Sequence, residues 1–289
     1  MVNSMSSLSG GVGHSLDFKE AVRIGAALHG QYISENPFPN IVVNDFLGNE
    51  LAQAIHSNWP SPLNSRDFNG HIFYDRKRLI SPYDCHESIL NAFYLFNSAP
   101  FITLLENMTG IKGLISDPYF WGGGLHEIGS GGFLGIHADY QIHKRLNIQR
   151  RVNLIIYMNE GWDLEWGGNL ELYNQKDSIP SASIAPLYNR AVIFNTNSTS
   201  FHGHPQPLTC PEGIQRKSLA LYYFTASDSI YSEIEDRSTV FKVVGLSNSI
   251  KDDALKAERA SKKYVSLARQ ILPPFIFRYF RDRLHDSQL

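Results

Sequence analysis

Cysteine is scarce, with only Cys85 and Cys210 among 289 residues. Two thiols cannot build a disulfide framework, so a reduced, cytoplasmic setting is expected. The chain also lacks an apolar run near the roughly 20 residues that span a bilayer. Met1–His14 has neither the charged region nor the apolar stretch of a secretory signal. Charge of one sign is missing too: 26 Lys/Arg face 28 Asp/Glu, a formal net of −2, so no global attraction to nucleic acid is expected. Only 19% of residues are charged while 43% are hydrophobic and 12% aromatic, which excludes a disordered chain. What remains is a globular protein with material for one large domain or two small ones.

The near-neutral total conceals two unlike parts. Residues 251–289 carry nine Lys/Arg against five Asp/Glu, a net of +4, so residues 1–250 carry −6. Along the chain, residues 1–16 read as a flexible tail. Helices are expected over Asp17–Gln31, Gly48–Trp59, Asp84–Phe96 and Ala99–Met108, with a strand at Ile41–Phe46 and a polar stretch near Arg66–Arg78. From Leu114 the texture changes to short β-rich runs bounded by Gly, Pro, Asn or Asp: Leu125–Ile128, Val152–Met158, Asn169–Tyr173, Ala191–Asn195 and Ser218–Thr225. Such spacing predicts an antiparallel sandwich or barrel, because a parallel sheet needs helices between its strands. The expected outline is one domain over 17–227 with its β core at about 114–226, then a helical extension over 228–289. Within that extension, 271–284 mixes apolar, aromatic and basic residues, as helices resting on a membrane surface do. Packing on the core is the alternative for this segment.

The chemistry concentrates in the β region. In Gly135-Ile136-His137-Ala138-Asp139 the imidazole and the carboxylate are two apart, so on a strand they reach one point. Ser200-Phe201-His202-Gly203-His204-Pro205 offers a further histidine, His202 or His204. Two histidines and one carboxylate form the facial triad of non-haem Fe(II) oxygenases, which leaves three coordination positions open. Arg216 and Ser218 share a strand face and together suit a carboxylate; Lys217 points the other way. Arg145, Arg150 and Arg151 sit near a loop bearing His143 and could meet an anionic substrate or simply be solvated.

Read together, these pieces resemble a known family. The His137-x-Asp139 pair is followed by Arg151-Val152-Asn153-Leu154-Ile155-Ile156-Tyr157-Met158-Asn159, Gly167-Gly168-Asn169-Leu170-Glu171-Leu172, Asn189-Arg190-Ala191-Val192-Ile193-Phe194, His202-Gly203 and Arg216-Lys217-Ser218. This order resembles the Fe(II)/2-oxoglutarate-dependent dioxygenase superfamily in its prolyl-4-hydroxylase-like branch, over about His126–Phe224. The resemblance implies an α+β chain with a mainly β core: a double-stranded β-helix, or cupin-like jelly roll, flanked by N-terminal helices and a C-terminal helical tail. It implies His137, Asp139 and His202 as iron ligands, because the family places its ligand before glycine. Arg216, Tyr157 and Ser218 would bind 2-oxoglutarate, with Asn153 and His126 as further pocket residues. Fe(II), 2-oxoglutarate, O2 and supportive ascorbate follow, with a small-molecule, sugar or peptidyl substrate. Related halogenases lack the carboxylate that Asp139 supplies, so hydroxylation is expected. The competing expectation is a jelly roll that binds a sugar or other ligand without redox chemistry.

Overall fold

A computed structural model describes residues 5–8, 10–61, 69–71, 73–143, 145–227 and 239–242. Of the expected C-terminal helical extension only residues 239–242 are described, and they hold a strand, Val240–Phe241, rather than a helix; the rest of it, with the membrane-facing segment, lies outside the described residues. The elements in chain order are β1 (Met5–Ser7), α1 (Phe18–Ser34), β2 (Asn40–Asn44), α2 (Asn49–Ser57), β3 (Asn69–His71), β4 (Tyr74–Ile80), α3 (Glu87–Phe96), α4 (Ala99–Thr109), β5 (Ile115–Ser116), β6 (Gly124–Ala138), β7 (Ile142–His143), β8 (Ile148–Tyr157), β9 (Leu170–Tyr173), β10 (Ala182–Ile184), β11 (Arg190–Asn195), β12 (Phe201–His204), β13 (Gln215–Ala226) and β14 (Val240–Phe241).

The helices start and stop where local chemistry dictates. The Asp17 carboxylate accepts from the Glu20 N–H at the head of α1, and Ser98 does the same for Phe101 N–H in α4. Gly110 ends α4 in the left-handed region. Ala21, Ile24, Gly25, Leu28 and Tyr32 form the buried stripe of α1. At Gly25 a Cβ would stand 2.5 Å from the Leu104 carbonyl, so glycine permits the close crossing of α1 and α4.

The strands make a jelly roll. Neighbours run β2-β11-β8-β13-β6-β12-β9-β10, and all of these pairs are antiparallel. The long strand β6 belongs to both layers: Gly124–Gly129 pairs with β13, and Leu134–His137 pairs with β12. It changes layer at Gly129–Gly132, where a Cβ on Gly132 would lie 2.6 Å from Ile128 Cγ2 and 2.8 Å from the Asp75 carbonyl. Strand alternation then sorts the side chains. Ile41, Val43, Leu154, Ile156, Leu219 and Leu221 turn outward and pack with the helices in one large core. Val42, Tyr157, Val192 and Phe194 turn inward, between the layers, with Leu170, Leu172 and Ile184.

Two expectations change. The first residues are not simply a tail: β1 pairs in parallel with β2, and Val12 is fully buried with its N–H donating to the Phe46 carbonyl. The polar stretch before Arg78 contains β4, which pairs with β6 along both of its halves. Its register shifts at Arg76, whose φ is 48°: this single residue separates Asp75 from Lys77, whereas four residues of β6 separate their partners Phe133 and Ile128.

Candidate active site

His137 stands near the end of β6, and its Cα partner on the neighbouring strand is His202 of β12. Register alone therefore brings together residues 65 positions apart. Asp139 follows directly after β6. Nε2 of His137 lies 3.6 Å from Asp139 Oδ1, and Nε2 of His202 lies 3.5 Å from Oδ2. One ligand atom from each of the three falls within 4.8 Å of the others.

The protonation pattern is set by the backbone. Nδ1 of His137 lies 2.9 Å from the Gly135 carbonyl, and Nδ1 of His202 lies 3.0 Å from that of Ser200. A carbonyl only accepts, so each Nδ1 carries the proton and donates. Both Nε2 atoms then face the Asp139 carboxylate. Burial drives the His202 pKa down to about 4, against the pull of Asp139. Burial opposes ionisation of Asp139 as well, but Arg150, His202 and His137 together hold its carboxyl well below the usual range. Two imidazoles and one carboxylate converge on one point, and this set of ligand types fits a divalent cation.

Asp139 is anchored from behind. Asn153 donates to its Oδ2 at 2.8 Å, and Arg150 Nη2 lies 3.0 Å from the same oxygen. Arg150 Nε in turn donates to Asn153 Oδ1 at 2.9 Å, and the guanidinium lies 3.4 Å from the Tyr222 ring centroid. Arg150 is thus neither solvated nor free for substrate: it is 1% exposed. Arg150 and Asn153 are three apart and would face opposite ways on a regular strand. They share a face because β8 bulges at Arg151, opposite Tyr223 and Phe224. Arg151 itself donates to Thr225, and Arg145 stacks on Tyr119 at 3.8 Å.

The second cluster lies on β13 and its neighbours. Ser218 has Cα partners His126 on β6 and Tyr157 on β8, so all three side chains stand in one inward row. Arg216, on the same face two residues away, is buried. It donates from Nε to the Gly168 carbonyl at 2.7 Å and from Nη2 to the Tyr157 hydroxyl at 3.1 Å. Burial raises the Tyr157 pKa against the field of Arg216, so its hydroxyl stays protonated and available as a donor. Burial, and then Lys77, lowers the pKa of His126. Lys217 points away, toward the Trp59 ring. The structure therefore joins every sequence-predicted residue around one interior: His137, Asp139 and His202 at one point, Arg216, Tyr157, Ser218 and His126 beside it, and Asn153 behind Asp139.

His143 behaves differently from the flexible-loop expectation. It is buried, with Nε2 3.3 Å from Asp117 Oδ2, while Asp117 also accepts from the N–H groups of Tyr119 and Trp121. This pair is a structural brace that sequence spacing alone, 26 residues apart, does not disclose.

Residues 123–224 match the family model of the 2OG-Fe(II) oxygenase superfamily. No curated protein matches the sequence. Among solved structures, the chain is similar to a prolyl hydroxylase from Trichoplax adhaerens in complex with a hypoxia-inducible-factor peptide fragment. That match has 16% identity and TM-score 0.49, covering 71% of this chain and 91% of that one. A prolyl 4-hydroxylase from Phytophthora capsici shows 19% identity and TM-score 0.49, over 85% and 75% of the two chains. HygX from Streptomyces hygroscopicus, solved with nickel, 2-oxoglutarate and hygromycin B, shows 10% identity and TM-score 0.44, over 71% and 93%. Residues 123–224, about a third of the chain, are thus similar to the 2OG-Fe(II) oxygenase superfamily.

Proposed function

We propose that this chain is a hydroxylase that inserts oxygen into an unactivated C–H bond of a small-molecule, sugar or peptidyl substrate while 2-oxoglutarate is decarboxylated to succinate. The observation that carries the reading is the convergence of one ligand atom each from His137, Asp139 and His202 within 4.8 Å. On this reading His137, Asp139 and His202 hold the iron. Bound Fe(II) with 2-oxoglutarate and O2 supplies the oxidising equivalents for hydrogen abstraction and hydroxylation.

The remaining roles belong to the protein's own groups. Gly135 and Ser200 carbonyls orient the two imidazoles, which are thereby ready to bind metal without rearrangement. Arg150 and Asn153 hold Asp139 Oδ2, so Oδ1 would be the oxygen left to take the metal. Arg216 turns its remaining guanidinium edge toward the pocket to receive the distal carboxylate of 2-oxoglutarate, with Tyr157 and Ser218 adding hydroxyl donors. The chain keeps its carboxylate ligand, which favours hydroxylation over halogenation.

The test is direct. Purified protein with Fe(II) and ascorbate should convert 2-oxoglutarate to succinate even without a substrate. His137→Ala and Asp139→Ala should each abolish this conversion and reduce metal binding measured by calorimetry. Undiminished succinate release in either variant would overturn the iron-site assignment.

A further inference from the structure

The interior holds more cationic and donor groups than metal and cosubstrate require. His204 is two residues beyond His202 on β12, so both imidazoles face inward. It is 3% exposed, and neither of its ring nitrogens has a hydrogen-bond partner among the described residues. A buried imidazole without partners forfeits its hydration for no return, which marks a group waiting for a ligand.

Lys77 stands across from it. Its Cα partner on β6 is Ile128, and Ile128 is in turn the partner of Arg216 on β13. Directly opposed residues share a face, so Lys77, Ile128 and Arg216 form one inward row, with the two cationic residues about 10 Å apart at the backbone. Lys77 lies 5.7 Å from the Tyr74 ring and makes no hydrogen bond or ion pair among the described residues. Its ammonium is depressed by burial and supported by Asp139, while His204 feels Arg216, Lys77 and His137. By register His204 is the Cα partner of Leu134, whose partner on β4 is Tyr74, and Lys77 lies over that Tyr74 ring, so the groups stand on one inward face beside the triad.

Charge matching defines what belongs there. A metal dication and a cosubstrate dianion together with Asp139, Arg150 and Arg216 would sum to +1, and Lys77 raises this to +2; Asp139 lies 3.0 Å from Arg150, and Arg216 would receive the distal carboxylate. Lys77 has no anion assigned to it. A point-charge ammonium on one wall and an imidazole N–H on the other suit a small anion with two acceptor oxygens; a phosphate dianion would call for more donors.

We propose that Lys77 and His204 form a second carboxylate-binding position, separate from that of Arg216, and that the primary substrate is a carboxylic acid held there by its carboxylate. This rests on the function proposed above. It names a substrate class and puts the acid group next to the metal, so oxidation falls on a carbon near that carboxylate.

The test uses full-length protein loaded with Mn(II), which binds without turnover, and calorimetry. 2-Oxoglutarate is titrated first; absence of its binding overturns the oxygenase reading rather than this one. With 2-oxoglutarate saturating, N-acetylated amino acids are compared with their primary amides as probes. The acids should bind at least about tenfold tighter than the amides. Lys77→Met should erase that preference and leave 2-oxoglutarate affinity within about twofold, and Lys77→Arg should retain the preference. His204→Phe should weaken the acids in the same sense, with circular dichroism confirming that it folds. Equal binding of acids and amides, or no binding of either, overturns the proposal. So does a Lys77→Met variant that loses 2-oxoglutarate as severely as Arg216→Met, since the position would then serve the cosubstrate.

Discussion

At the scale of single residues, Arg150 matters most after the three ligands. Its charge lies against Asp139, and its guanidinium is sandwiched at 3.4 and 4.7 Å from the Tyr222 and Tyr140 ring centroids. Arg150→Met leaves Asp139 buried without its counter-charge. We expect metal affinity to fall about 10–100-fold, the usual cost of losing a group that orients a ligand. A titration with Zn(II) checks this, and an unchanged affinity would reject the anchoring role. Histidine protonation gives a second prediction at this scale. An unfolded histidine protonates near pH 6.5, whereas folded His202 resists until about pH 4. Between those values the unfolded chain binds the extra proton, so the metal-free protein loses stability as pH falls through that window. His126 and His204, both held well below their usual value, act in the same direction. Asp139 stays ionised there and contributes no change. For His202 alone the loss approaches about 3 kcal/mol. Urea midpoints of the metal-free protein at pH 7 and 4.5 should differ accordingly; coincident midpoints would contradict the burial argument.

At the scale of elements, the site depends on how closely strands approach. Gly203 sits between the two inward histidines of β12, and a Cβ there would lie 2.7 and 2.8 Å from the Gly135 and Leu134 carbonyls. Gly203→Ala must push β12 away from β6 and part His202 from His137. The expected cost is about 1–3 kcal/mol, with weaker metal binding, readable together in thermal unfolding with and without Zn(II). Gly168 acts on the neighbouring pocket. Its φ is 74°, and a Cβ would lie 2.7 Å from Leu208 Cδ2 and 3.0 Å from Arg216 Cδ. Gly168→Ala should displace Arg216 and raise the KM for 2-oxoglutarate about tenfold or more, while metal binding changes little. A KM equal to that of the parent would show that Arg216 does not hold the cosubstrate. Sequence reading located Phe18–Ser34, the part of β8 beyond its bulge and most of Gln215–Ala226, where periodicity is strong, but only Leu125–Ile128 of the 15-residue β6. The elements it missed, Tyr74–Ile80, Ala182–Ile184 and Phe201–His204, are short or bulged, and their pairing is decided by distant partners.

For the whole molecule, the helical layer supports the jelly roll from outside and leaves its interior to chemistry. Phe101 of α4 is central to that support, with its ring 5.2 Å from Phe96, 6.3 Å from Phe46 and 6.2 Å from Tyr223 of β13. Phe101→Ala should cost about 3–5 kcal/mol and lower Tm by roughly 6–20 °C. Metal affinity at low temperature should hardly change, because the residue faces away from the site. A normal Tm would mean that the helices contribute little to the stability of the roll.

By itself the sequence determined the ligand types, their order and the β character of the segment that carries them. Those properties are local: an HxD pair shares a strand face whatever surrounds it, and short β-rich runs between turn residues exclude a helical core. The tertiary structure decided which groups meet. The register of β12 on β6 sets His202 opposite His137, the bulge at Arg151 turns Arg150 inward to Asp139, and the row through Ile128 brings Lys77 into the chamber of Arg216. Pairing register and bulges are properties of two strands at once, and a one-residue shift in either reverses every side chain.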